Sequence, residues 1–115
     1  MRTADLIAKQ FGVQTMININ PLTASIGTTA AQLLSNNPNR LAFTIINLSS
    51  NNMYIAFDPT VSAAKGIFLT PNGGSATLTM MEDFESTCWE VWGVAGAAAS
   101  AVYVIEVLIS SEIAG

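Results

Sequence analysis

The sequence lacks histidine and has a single cysteine, Cys88, in 115 residues. Without histidine, the chain has neither the usual proton carrier of catalysis near neutral pH nor the commonest nitrogen ligand for metals. One cysteine forms no disulfide within the chain and builds no thiolate zinc cluster. These two absences exclude histidine-based catalysis, histidine metal sites and disulfide-stabilised scaffolds.

Charge is also scarce, because four basic and eight acidic residues make up only 10% of the chain, against roughly 25% in an average soluble domain. The net charge of −4 disfavours binding to nucleic acid, whose phosphate backbone requires clustered Lys and Arg. Half of the residues are hydrophobic, which argues against intrinsic disorder. A domain of this length buries a limited share of its surface, so the composition predicts that some apolar surface is buried between subunits.

Long hydrophobic runs are missing as well. The longest charge-free apolar stretch, residues 91–105, is shorter than the about 20 residues that a membrane-spanning helix needs. Near the N-terminus, Asp5 and Lys9 occupy positions where a signal peptide has its apolar core. We therefore expect a protein that folds in the cytoplasm and has no membrane partner, which a lone cysteine also fits.

What is present is a β pattern that follows one short helical stretch. Residues 1–13 are predicted to form a helix or an extended arm, with Leu6, Ile7 and Phe11 as a short apolar stripe that ends at Gly12. Predicted strands follow at 15–20, 24–34, 40–48, 53–57, 66–70, 75–80, 87–94 and 101–109. Their regular spacing predicts an all-β fold, an antiparallel β-sandwich of jelly-roll-like form. We expect an arm at 1–14 and a sandwich domain at 15–115, with a hairpin at Asn51-Asn52.

The predicted strands offer candidate interface residues. In the last strand, one face carries Tyr103, Ile105, Val107 and Ile109, and the other carries Val102, Val104, Glu106 and Leu108. Because the second face is also mostly apolar, we expect it to be covered either by the N-terminal segment or by another subunit. The candidate interface residues are Leu6, Ile7, Phe11, Trp92, Val102 and Val104.

Trp92 is a candidate because it lies three residues after Trp89 in a predicted strand, so that the two rings face opposite sides. One ring is then in the core, and Trp92 faces outward as an interface or ligand-stacking residue. In the alternative, both faces are covered within the monomer. Arg40, which opens a strong strand, is expected to have an ordinary surface role.

No group of residues predicts catalysis or metal binding. Glu82, Asp83 and Glu85 form a carboxylate cluster, but their spacing does not match a calcium loop and is typical of a solvated turn. Cys88 lies in a β run, where a thiol acts as a small hydrophobe. We therefore expect no catalytic residue, no metal and no cofactor, and a protein that is not an enzyme.

The run at 40–57 (RLAFTIINLSSNNMYIAF), with Gly66-Ile67-Phe68-Leu69 and Pro71-Asn72-Gly73-Gly74 after it, resembles small β-rich virion structural proteins of tailed bacteriophages. The shared pattern is an arginine-led strand, an Asn-rich turn, a Tyr-Ile-Ala-Phe strand and a Gly-Gly turn. The resemblance covers residues 40–109 and implies that Asn47, Asn51, Gly66, Gly73 and Gly74 form turns.

The resemblance implies a capsid decoration or cement protein, whose partners are the major capsid protein and further copies of the chain. A homo-oligomer, expected to be a trimer, would then bind the capsid after assembly in the host cytoplasm. Two alternatives stay open: a tail or head-spike component of the same virion, and a carbohydrate-binding β-sandwich that uses Trp92 and the Asn-rich loops.

Overall fold

Two α-helices, one 3₁₀ helix and nine strands organise the described part of the chain. A computed structural model describes residues 2–112, with side chains for all of these except Ala4, Ile7, Ala8, Phe11, Ser111 and Glu112. The elements are α1 (Thr3–Phe11), β1 (Val13–Ile19), β2 (Ser25–Ile26), β3 (Ala31–Leu34), β4 (Arg40–Asn47), β5 (Met53–Ala56), β6 (Ile67–Leu69), β7 (Ser75–Thr79), a one-turn helix α2 (Met80–Asp83), a 3₁₀ helix (Phe84–Cys88), β8 (Val91–Ala95) and β9 (Ser100–Glu112).

The strands form two antiparallel sheets. The first sheet has the order β1-β9-β4-β7, with β2 also paired to β9, and the second has the order β3-β8-β5-β6. Between β3 and β9 the chain changes sheet at every connection except the one from β5 to β6. A five-stranded and a four-stranded sheet connected in this way make a jelly roll. The predicted all-β, jelly-roll-like sandwich is confirmed.

The core lies between the sheets and follows from alternation along the strands. In β4 the buried residues include Phe43, Ile45 and Asn47, and in β9 they include Val102 and Val104. The second sheet faces them with Leu33, Leu34, Met53, Ile55, Leu69 and Val91, all of which are buried. Since successive side chains of a strand point to opposite faces, this inner face fixes which residues face outward.

The predicted hairpin at Asn51-Asn52 is wrong, because β4 and β5 belong to different sheets. The physical reason is Asn47, a fully buried side chain at the end of β4. Its Nδ2 donates to the carbonyl oxygens of Asn51 (2.8 Å), Leu69 (3.1 Å) and Thr70 (3.2 Å). Asn47 thereby ties together the two turns that carry the chain between the sheets, before β5 and before β7.

The turn between β6 and β7, which Asn47 holds, requires glycine at two positions. Gly73 has a φ of +116°, in the region that favours glycine. A Cβ on Gly74 would lie 2.2 Å from the backbone nitrogen of Thr70, which is too close for any side chain. The N–H of Gly73 donates to the carbonyl of Asn47 at 2.7 Å. Asn47, Gly73 and Gly74 therefore form turns as the resemblance implied, at a crossing between sheets rather than in a hairpin.

Two predicted strands are shorter than expected. The stretch 24–34 divides into β2 and β3, and the stretch 87–94 begins with the end of the 3₁₀ helix, so that β8 starts at Val91. Trp89 consequently precedes the strand. Its ring is half exposed and meets Phe57 edge-on at 5.5 Å, so the expectation that Trp89 and Trp92 face opposite sides of one strand is wrong.

A buried ion pair links β4 to β9. Arg40 and Glu106 are 2% and 4% exposed, and Nε of Arg40 donates to Oε2 of Glu106 at 2.8 Å. The remaining guanidinium nitrogens donate to the carbonyl oxygens of Ser35 (2.7 Å) and Trp89 (3.2 Å). The expected surface role of Arg40 is therefore wrong, since the side chain ties loops from both sides of β4 to the core.

Candidate assembly surface

Among the described side chains, the outer face of the first sheet carries no charge. The register of β1, β4, β7 and β9 places one set of residues on this face, none of them charged: Thr15, Ile17, Ile19, Ala42, Thr44, Ile46, Ser75, Thr77, Thr79, Tyr103, Ile105, Val107 and Ile109. A sheet face that is exposed to water normally carries polar and charged side chains. The face therefore has the composition of a surface that is covered.

Apolar character is concentrated on the β1 side of this face. Ile17 and Ile19 are 59% and 53% exposed, and they lie opposite Val107 and Ile105 of β9. On the β7 side the same face carries Ser75, Thr77 and Thr79. Contiguous exposed apolar surface of this kind marks interaction sites in soluble proteins.

A groove lies at the end of this face where β7 runs into α2. Its lining residues come from four elements and are almost all apolar: Val13, Thr15, Leu41, Met80, Met81, Val107 and Ile109. The volume of the groove is about 440 Å³. Methionine side chains are flexible and polarisable, and they adapt readily to an apolar partner. The groove can thus accept several apolar side chains at once.

Phe84, which directly follows α2, has a strained backbone. Its ring is 75% exposed, and its dihedral angles are φ 53° and ψ −132°. These are close to the first central position of a type II′ turn, where glycine is the favoured residue. An exposed aromatic ring on such a backbone stabilises neither the core nor the turn. Strain of this kind concentrates at functional positions.

Replacing Phe84 with glycine should therefore stabilise the isolated protein by about 1 kcal/mol, since relief of backbone strain of about 1–3 kcal/mol exceeds the entropy cost of glycine, about 0.5–1 kcal/mol. Urea unfolding of Phe84→Gly and Phe84→Ala measures the effect. The alanine variant removes the ring but keeps the strain, so it should gain much less stability. Equal stability of both variants would contradict strain at this position.

None of the predicted interface residues with described side chains lies on the outer face of the first sheet or in the groove. Leu6 lies in α1 and is half exposed, whereas the side chains of Ile7 and Phe11 lie outside the described residues. Val102 and Val104 are fully buried between the sheets, so their prediction as interface residues is wrong. The face of β9 that carries Tyr103, Ile105 and Val107 is the outer one. Glu106 can lie on the inner face because Arg40 neutralises its charge.

Trp92 lies on the outer face of the second sheet, in register with Gln32 and Ala56. The ring is half buried, and its Nε1 is enclosed with no hydrogen-bond partner among the described residues. On the neighbouring strands, Tyr54 and Phe68 stack at 5.3 Å, and Phe68 is half exposed. This second outer face carries several aromatic side chains, whereas the β1 side of the first outer face is aliphatic.

Within residues 2–112, no group of three or more Asp, Glu or Cys side chains is arranged to hold a metal ion. The acidic residues around Phe84 form no such group: Asp83 accepts a hydrogen bond from the backbone N–H of Thr79 at 2.9 Å, and Glu82 and Glu85 are exposed.

None of the helices in the described part of the chain is long and apolar enough to cross a membrane.

Comparison with known proteins identifies no family. No protein-family profile matches the chain, and no curated protein sequence matches it. A search of solved structures finds similarity to the coat protein of Tobacco streak virus, with a TM-score of 0.38 and 9% sequence identity over 88% of this chain and 91% of that chain. A similarity at this level supports no conclusion about the function of the chain.

Proposed function

We propose that the chain is a structural protein of a virion, a decoration or cement protein that binds the capsid shell as a homo-oligomer. The observation that carries the proposal is the uncharged outer face of the first sheet, which continues into the apolar groove. Protein interfaces are depleted of Lys, Glu and Asp at their centre. A face of four strands without one charge is suited to be covered by other protein.

Three further features support a structural role. The chain has few charges, so neutral Asn, Ser and Thr provide most of its polar surface. The jelly roll recurs in viral capsid domains as well as in lectins, although a fold by itself does not imply a function. The resemblance of residues 40–109 to phage virion proteins points the same way.

Closed symmetry is the rule for soluble oligomers, and we propose a trimer, formed in the host cytoplasm before it binds to the capsid.

Binding to shells assembled from the major capsid protein of the same genome tests this function. We expect the purified chain to sediment as a trimer and to bind the shells in hundreds of copies. A monomer at high concentration that does not bind the shells would refute the proposal. Labelled copies at the tail or at one vertex, located by electron microscopy, would instead support a tail or spike component.

Placing a charge on the uncharged face should reduce assembly with little effect on folding. Ile17→Asp introduces a carboxylate at an exposed position, where surface substitutions change stability by about 0.5 kcal/mol or less. We expect its self-association or shell binding to weaken at least tenfold, since an unpaired charge in an interface is costly to desolvate. Sedimentation and shell binding measure this, with Ser50→Asp, on an exposed loop between the sheets, as the matched control.

A carbohydrate-binding role has less support. The one polar atom of the Trp92 ring is enclosed, so it cannot donate to a sugar hydroxyl while the ring keeps this position. Glycan-array binding that disappears in both Trp92→Ala and Phe68→Ala would revive this role.

A further inference from the structure

We propose that the groove beside α2 binds helix α1 of a second copy of the chain. The inference rests on the proposed self-association, and it names the segment and the site by which one copy holds the next. It does not depend on what the assembled protein binds.

The position of α1 favours a partner outside its own sandwich. Up to Leu108, β9 is paired to β4 on one side and β1 on the other, but beyond Ile109 it pairs with β1 alone. The end of the first sheet is thus a two-stranded ribbon, and α1 is attached at its tip through Gly12. Since two-stranded ribbons and nine-residue helices are marginally stable in water, both gain from being covered.

The dimensions of the molecule agree with a projecting segment. A compact domain of 115 residues has a radius of gyration of about 13 Å, whereas the Cα atoms here give 15.3 Å. The longest axis is 49 Å, about twice the other two axes of 24 and 22 Å. Gly12, between α1 and β1, has a φ of +70°, and nothing lies within 4 Å of where its Cβ would be. No other part of the described chain therefore packs against this side of the joint between α1 and β1.

The groove and the helix have complementary chemistry. The groove is lined by Met80, Met81, Val107 and other apolar side chains, and α1 is amphipathic, with Leu6, Ile7 and Phe11 among its residues. A nine-residue helix is about 14 Å long, which is a length that a groove crossing the strands of one sheet can accommodate. An amphipathic helix in an apolar groove is a recurring mode of recognition.

Charge favours the same pairing. Residues 1–12 contain two of the four basic residues and one of the eight acidic ones, so they carry +1, and the rest of the chain carries −5. Arg2 is paired with Asp5 at 3.1 Å at the start of the segment, and Lys9 lies in the last turn of α1. At the groove, Met80 and Met81 are followed directly by Glu82, Asp83 and Glu85. The basic last turn of the helix thus suits the acidic segment that follows Met81, which orients the helix in the groove.

The arrangement is heterologous, because the helix of each copy occupies the groove of the next. Heterologous contacts close into a ring when the rotation allows it, and a ring of three is the trimer proposed above. Each copy gives one helix and receives one, so no helix and no groove is left uncovered.

Intermolecular cross-linking tests the pairing. Two full-length variants are made in a Cys88→Ala background, one with Leu6→Cys and one with Met81→Cys, after unfolding experiments show that each is folded. The variants are mixed and treated with a short bismaleimide. In a ring of three that contains both variants, one Leu6→Cys helix occupies a Met81→Cys groove. We expect up to about half of the chains to become covalent dimers when equal amounts mix at random, whereas each variant treated alone stays monomeric in denaturing gels.

The controls separate this inference from the proposed function. Ser50→Cys replaces Met81→Cys as the matched control, because residue 50 follows the other end of β4 and lies more than about 20 Å from Leu41 by strand length. Cross-links formed only inside a chain with both Leu6→Cys and Met81→Cys would overturn the inference, since the helix would then fill its own groove. An oligomer that binds shells but gives no cross-link overturns the inference and leaves the function standing. A monomer without cross-links overturns both.

Discussion

Replacing Glu106 with alanine is expected to cost about 3–5 kcal/mol of unfolding free energy, because it leaves the charge of Arg40 buried and unpaired. The guanidinium is 2% exposed, and its other contacts are to carbonyl oxygens, which carry no full charge. Glu106 also accepts a hydrogen bond from Nδ2 of Asn18 at 3.2 Å, so β1 loses a partner as well. Urea unfolding followed by tryptophan fluorescence measures the loss.

Two further variants test the cause. Glu85→Ala removes an exposed carboxylate of the same type and should change stability by about 0.5 kcal/mol or less. The double variant Arg40→Met, Glu106→Leu removes both charges, and buried pairs replaced by apolar residues often keep or gain stability. It should therefore be more stable than Glu106→Ala. A double variant as unstable as the single one would show that packing, and not the unpaired charge, accounts for the loss.

The ion pair also explains why the sequence pattern predicts the wrong environment, core or surface, for each face of β9. Alternation in the sequence correctly separated the residues of the two faces, because a strand has a period of two. It did not say which face is inside, since both are mostly apolar. Glu106 made the inner face resemble the solvated one, and its partner Arg40 lies 66 positions earlier in the chain. Pairing across such a distance leaves no local signal.

For the turns, too, the sequence predicts one property and misses another. Asn, Gly and Pro clusters correctly marked where β3, β4 and β6 end, because these residues favour turn conformations. The same clusters did not distinguish a hairpin from a crossing between sheets. That difference depends on which strands pair with β4, and these are β7 and β9, both distant in sequence. Local turn chemistry thus predicts the strand ends, and long-range pairing decides the topology.

The sequence predicts that an assembly surface exists, but it does not predict where on the fold that surface lies. The shortage of charge predicted that apolar surface would be buried between subunits, and the structure locates uncharged surface on the outer face of the first sheet. Phe84 gave no signal in the sequence, where it lies in an acidic turn. Its exposure and its left-handed φ become visible once the backbone between β7 and β8 is known.

Replacing Asn47 with aspartate is expected to destabilise the fold by about 3–5 kcal/mol at pH 7, although the two side chains have nearly the same shape. The amide donates to three carbonyl oxygens, and a carboxylate would present a buried negative oxygen to the same three groups. Buried groups that lose their partners cost about 1–3 kcal/mol, and charged groups cost more. Unfolding experiments in urea at neutral pH provide the measurement.

The pH dependence of this loss distinguishes repulsion from a simple loss of hydrogen bonds. Burial and the facing carbonyl oxygens raise the pKa of the introduced carboxyl in the folded state above its unfolded value of about 3.9. A carboxyl with a raised pKa favours folding in its protonated form, so the difference from the wild type should shrink as the pH falls from 7 towards 4. Asn47→Ala has no titrating group and should keep a constant difference over the same range. If both variants followed the same pH profile, the amide donors of Asn47 would matter less than the space that the side chain fills.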